Sequence, residues 1–148
     1  MAKNIKQRIT IQATPGRVYE ALMDSKKHSA FTGAKAVISR KVGGKFSAYG
    51  PYIHGVNVEL IKGKRIVQAW RGSDWQKGEY SIATFDLKPA PGGKTQVVFT
   101  QTGVPDEHHK GIVQGWKDFY WTKLKSYLAP PVLAERAGRG QRRPARRR

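Results

Sequence analysis

The stretch DEHHKGIVQGWKDFYWTKLKSYL, residues 106–128, sets the architecture, because here the rhythm of the chain becomes helical. Ile112, Trp116, Tyr120, Leu124 and Leu128 recur every four residues, with Phe119 and Tyr127 beside them. At 1.5 Å per residue such a helix is about 30 Å long. Val104-Pro105-Asp106 is its predicted start, and Pro130-Pro131 ends it. A long helix with one apolar face must bury that face, and the upstream chain supplies the surface.

Upstream, the period is two. Ile5, Gln7, Ile9 and Ile11 alternate with Lys6, Arg8 and Thr10, so Ile5–Gln12 reads as a strand. Thr14-Pro15 then opens a helix whose apolar face is Val18, Ala21 and Leu22. The polar run Asp24–Gly33, with a lone Phe31, reads as a short second helix or a turn. Strands are predicted over Ala36–Arg40, Phe46–Tyr49, Ile53–Ile61, Arg65–Arg71, Glu79–Lys88 and Thr95–Thr102. Val42–Lys45, Gly50-Pro51, Lys62–Lys64, Gly72–Gly78 and Pro89–Lys94 separate them, which is the spacing of an antiparallel meander. The predicted class is α+β. A curved antiparallel sheet of about six or seven strands wraps around the long C-terminal helix, with one or two short helices after the first strand. A cleft is expected between sheet and helix.

Length and composition bound the rest. One hundred and forty-eight residues suffice for one domain with a real core, assigned here to residues 1–128. The chain has no cysteine, which excludes a disulfide framework, a thiol nucleophile, an iron–sulfur cluster and Cys-based zinc. MAKNIKQRITI lacks the apolar core of a signal peptide, and no apolar run approaches the ~18 residues of a membrane span. A cytoplasmic protein is therefore expected. Lys and Arg number 28 against 10 acids, a net +18. Residues 129–148 hold seven of those Arg and one Glu, so residues 1–128 keep +12. Such a body favours anionic partners and salt-sensitive encounter. The tail, with Arg136, Arg139, Arg142, Arg143, Arg146, Arg147 and Arg148, is predicted disordered. It is open to three readings: polyanion or nucleic-acid contact through counterion release, an acidic protein surface, or an idle solubilising extension. Its lack of aromatics argues against base stacking.

No catalytic constellation is legible. Ser73 sits in a Gly72–Trp75 turn without a histidine close in sequence. His28, His54, His108 and His109 show no metal-ligand spacing, and no metal or cofactor is expected. Gly92-Gly93-Lys94-Thr95 lacks the upstream glycine and following helix of a phosphate loop, and reads as a hairpin turn. Glu59 and Asp86 are acid–base candidates on strands, with the solvated outer face as the alternative. Aromatics are plentiful, as core, as cleft wall or as an apolar ligand pocket. Strand parity puts Ile66, Gln68 and Trp70 on one face, and Val97, Phe99 and Gln101 on another. The candidate cleft residues are Phe46, His54, Glu59, Gln68, Trp70, Trp75, Phe85, Phe99, Gln101, Trp116 and Tyr120.

Several short motifs, taken in order, carry a resemblance. They are Val42-Gly43-Gly44-Lys45-Phe46; Gly55 with Glu59-Leu60; and Arg65-Ile66-Val67 leading to Trp70-Arg71. Trp75 followed by Gly78, Gln101-Thr102-Gly103-Val104-Pro105 and Gly115–Trp121 complete them. Over about residues 5–128 the chain resembles the family of the activator of the 90-kDa heat-shock chaperone's ATPase, in its C-terminal-domain form. That family belongs to the START-like, helix-grip superfamily. The resemblance implies a sheet gripping a C-terminal helix and an association with the stress response. The wider superfamily binds lipids, sterols, polyketides and other apolar molecules, and includes cyclases and hydrolases. The eukaryotic co-chaperones carry a further N-terminal domain essential to ATPase stimulation; this chain is expected to lack it. Three functions remain open. The leading one is a non-enzymatic binding domain for a small hydrophobic or aromatic ligand. A co-chaperone-like module docking on an acidic chaperone surface is the second. The third is a cyclase or hydrolase using Glu59 or His54.

Overall fold

The computed structural model describes residues 2–129. The N-terminal alternation folds as β1 (Ala2–Ile11), beginning before the pattern at Ile5. Ile5, Ile9 and Ile11 are buried, and Lys6, Arg8 and Thr10 are exposed. Helix α1 (Pro15–Met23) starts where Thr14 accepts the Arg17 N–H, and it buries Val18, Ala21, Leu22 and Met23. The polar run after it is a true helix, α2 (Ser25–Thr32). The Asp24 carboxylate accepts the N–H groups of Lys26 and Lys27 at its start, and Gly33 ends it at φ 77°.

The predicted strand Ala36–Arg40 shrinks to β2 (Val37–Ile38). Side chains take the backbone groups that would extend it. Ser29 Oγ accepts the Ala36 N–H at 2.9 Å and Ser25 Oγ the Ile38 N–H at 2.8 Å. Asn57 Nδ2 donates to the Ser39 carbonyl at 2.7 Å. Strands β3 (Lys45–Ala48), β4 (Ile53–Ile61), β5 (Arg65–Gly72), β6 (Ser81–Ala90) and β7 (Lys94–Pro105) follow. The start of β6 moves from Glu79 to Ser81, because Glu79 serves the preceding loop. Its carboxylate accepts the Gln76 N–H at 2.9 Å and its carbonyl accepts from Arg71 Nε at 3.2 Å. The β6–β7 turn tightens so that Pro89 and Ala90 pair with Thr95 and Lys94. Pro91, Gly92 and Gly93 form the three-residue loop between them, and both glycines sit at positive φ, where a side chain would be strained.

The seven strands among the described residues form one antiparallel sheet, in the order β1-β7-β6-β5-β4-β3-β2. The first strand thus lies beside the last. In β4 the register slips between Asn57 and Glu59, leaving Val58 as a bulge. Asn57 points to the helix-facing side, and parity reverses beyond it.

The C-terminal helix crosses the concave face as α3 (Asp106–Gly115), a π-helical segment (Trp116–Trp121) and α4 (Thr122–Leu128). A four-residue repeat creeps about 40° per step around an α-helix of 3.6 residues per turn. The wide turn, where the Thr122 N–H reaches the Lys117 carbonyl, absorbs one extra residue. Trp116, Tyr120, Trp121, Leu124 and Leu128 are therefore all buried, while Phe119 and Tyr127 face outward at 57% and 41% exposure. The Trp116 ring lies against Trp70 of β5, Phe85 of β6 and Phe99 of β7. No helix among the described residues is long and apolar enough to cross a membrane.

Candidate functional site

Between the concave sheet and the helix lies a cavity of ≈ 570 Å³, within the roughly 300–1,000 Å³ of ligand pockets. Ile66, Gln68 and Trp70 of β5, Phe85 of β6 and Phe46 of β3 form its floor. Ile112, Trp116 and Tyr120 form its roof, and Leu22, Met23 and His28 its closed end. Tyr52, Glu107 and Phe119 are exposed lining residues and mark the mouth.

Part of that volume comes from missing side chains. Gly111 and Gly115 line the cavity one helical turn apart, and a Cβ at either would meet nothing within 4 Å. Each costs the helix about 1 kcal/mol relative to Ala. The glycines are not needed for close packing, so they leave open space. Gly55 is the opposite case. A Cβ there would lie 1.7 Å from the Ala69 carbonyl oxygen, so β4 and β5 require its absence.

The wall is held by polar links behind the apolar surface. Trp116 Nε1 donates to Gln101 Oε1 at 2.8 Å, Gln101 Nε2 to Ser81 Oγ at 2.9 Å, and Ser81 Oγ to the Trp70 carbonyl at 2.9 Å. Gln68 Nε2 donates to Asn57 Oδ1 at 3.1 Å. His28 Nε2 hydrogen-bonds the Tyr120 hydroxyl at 3.0 Å. Burial lowers His28 to about 4, so it is neutral at pH 7. Burial, and secondarily Tyr49, raises Tyr120 well above the usual tyrosine value. Burial lifts Tyr49 to about 12; burial and then the Asp74 carboxylate do the same for Tyr52. His28 and these tyrosines are uncharged at neutral pH. Tyr49, in the left-handed region at φ 53°, donates its hydroxyl to the Phe119 carbonyl and ties the β3–β4 turn to the roof.

Of the sequence candidates, Phe46, Gln68, Trp70, Phe85, Trp116 and Tyr120 line the cavity. The others do not. Glu59 lies beyond the Val58 bulge on the outer face, where Arg65 bridges it at 2.9 Å and Asp86 at 2.7 Å. His54 alternates with the inward Ile53 and Gly55, so it too faces out, 3.3 Å from Arg71 Nη1. Phe99 and Gln101 have the right parity but lie under Trp116. Trp75 sits one layer back, its ring against Trp70 and stacked on His108 at the cavity edge. The Arg candidates Arg136–Arg148 fall outside the described residues. Sequence reasoning missed His28, Tyr49, Tyr52 and His108 as lining residues. The i, i+4 spacing of Gly111 and Gly115 was a readable sign of a hollowed helix face.

A model of the family described as "Activator of Hsp90 ATPase homolog 1-like protein" matches residues 12–129. The chain belongs to that Activator of Hsp90 ATPase homolog 1-like family. It is 36% identical over 123 residues to the "Activator of 90 kDa heat shock protein ATPase homolog" of Dictyostelium discoideum, covering 83% of this chain and 32% of that protein. Against the human "Activator of 90 kDa heat shock protein ATPase homolog 1" it is 27% identical over 116 residues, 78% of this chain and 34% of that one. The family member described here thus spans about a third of the length of these curated relatives. A crystal structure of an Hsp90 activator from Plasmodium falciparum superposes with a TM-score of 0.78 at 24% identity, covering 88% of this chain and 98% of that one. That likeness carries the helix-grip fold.

Proposed function

We propose that this domain is a non-enzymatic binding module whose cavity takes a small, uncharged, flat apolar ligand. The observation that carries this reading is the ≈ 570 Å³ space walled by Phe46, Trp70, Phe85 and Trp116 and kept open at Gly111 and Gly115. Gln68 and the neutral His28–Tyr120 pair supply a few hydrogen-bonding groups to orient an occupant, as such pockets require. Glu59 and His54, on the outer face, are out of reach of it.

The test pairs native with denaturing mass spectrometry of freshly purified protein, followed by NMR titration with 1-naphthol, cinnamyl alcohol and decanol. Extra mass lost on denaturation, or shifts at Ile66 and at the Trp70 and Trp116 indoles, is the expected result. Ala48→Phe, which fills the cavity from β3, should abolish them in a folded protein. No shift at these residues across the panel overturns the reading.

Family membership favours a second reading, docking on an acidic surface of the 90-kDa chaperone. Its support is the relatives' printed names and the +12 on residues 1–128. Capture of the purified chaperone at low salt is expected, unaffected by Ala48→Phe. An empty capture at low salt removes it.

A further inference from the structure

A second concavity, of ≈ 400 Å³, lies at the edge of the sheet between β1 and α3. Its floor is Asn4–Arg8 of β1, and its wall is the helical stripe His109, Val113 and Lys117, spaced four residues apart. On one side β1 pairs with β7; its other side has no strand among the described residues. Alternate N–H and C=O groups of an edge strand turn outward in this way. The Asn4 carbonyl does so at a β-bulge and meets His109 Nε2 at 3.2 Å. Three cations, Lys6, Arg8 and Lys117, line the groove, and none has an ion-pair partner among the described residues. Two of these cations come from the strand and one from the helical segment, so they flank the groove from both sides.

We propose that this groove takes an acidic, extended segment of a partner protein. The segment adds as a strand to the free edge of β1 and sets its carboxylates on Lys6, Arg8 and Lys117. Backbone pairing supplies affinity and alternate side chains supply selectivity, as in other strand-addition sites. With the Asn4 carbonyl taken by His109, Ile5 to Arg8 offers about 10 Å of edge, room for roughly three or four residues. Like charge disfavours a second copy of this basic chain, and among the described residues no Phe, Tyr or Trp lines the groove to stack a nucleic-acid base. The site is independent of the cavity and of what fills it.

The test titrates the full ¹⁵N-labelled chain, at low salt, with a capped heptapeptide of alternating Glu and Val. Shifts confined to residues 4–8 and 109–117, with slowed hydrogen exchange in β1, are expected. The surface variant Lys6→Glu/Arg8→Glu/Lys117→Glu should weaken the peptide at least tenfold and leave 1-naphthol binding as it was. It should in turn bind the matching Lys–Val peptide. A heptapeptide of the same charge with N-methylated valines should bind at least tenfold more weakly. Equal binding of that peptide, shifts confined to the Arg-rich tail, or tighter binding of a ten-nucleotide oligothymidylate at the same residues would each overturn the proposal.

Discussion

His28 shows how much one side chain in this cavity wall has to satisfy. It is 3% exposed, shares a hydrogen bond with Tyr120 and leaves Nδ1 without a partner among the described residues. Its folded value is about 4 against 6.5 unperturbed, so the unfolded chain takes up the proton first. The stability it contributes is whole above pH 6.5, falls as pH drops towards 4, and changes no further below that. Between pH 7 and pH 4.5 the loss is about 2–3 kcal/mol. His28→Gln should abolish this component, so the difference in urea-unfolding free energy between wild type and variant should shift by that amount across the window. Parallel pH profiles for the two proteins would show that His28 does not titrate on unfolding. Nothing in the sequence marked this residue as part of the wall. It lies in a polar run, and its burial depends on α2 packing against a helix some ninety residues away. Gln68 and Trp70 were legible because an uninterrupted strand carries parity without ambiguity. Glu59 was not, because one inserted residue at Val58 reverses it.

At the scale of elements, the C-terminal helix sets shape against stability. Its four-residue repeat is readable in the chain, and so is the burial of Leu124 and Leu128. The π-helical segment is not, because the widened turn follows from the fit of Trp116, Tyr120 and Trp121 to a curved floor. The same helix carries Gly111 and Gly115 where Ala would be better for the helix and worse for the hole beneath it. Gly111→Ala and Gly115→Ala should each stabilise the protein by about 0.5–1 kcal/mol. Each added methyl occupies cavity space, so 1-naphthol affinity should fall as stability rises, most in the double variant. Calorimetric melting beside the NMR titration checks both signs at once. Stabilisation without loss of binding would mean that the glycines serve something other than the cavity.

For the molecule as a whole, the relevant division is between an uncharged interior and a strongly basic exterior. The net charge was legible from composition, but its placement was not. Alternation tells which face of β1 a lysine occupies, not that β1 ends up at the sheet edge beside a helix. Nor does it show that Lys6 and Arg8 share a groove with Lys117. The two environments answer to different solvents. Burial of an uncharged aromatic depends on apolar area, which moderate salt changes little. Attraction of an acidic partner to exposed cations falls steeply, because the Debye length shrinks from about 10 Å at 0.1 M to about 3 Å at 1 M. Raising sodium chloride from 50 to 500 mM should therefore leave 1-naphthol affinity within about twofold. The same change should weaken capture of the 90-kDa chaperone by more than about tenfold. Isothermal titration of both at the two salt concentrations separates the readings. A naphthol affinity that falls in step with the chaperone's would place its binding on the charged surface, not in the cavity. A chaperone interaction indifferent to salt would mean that the basic body is not what it recognises.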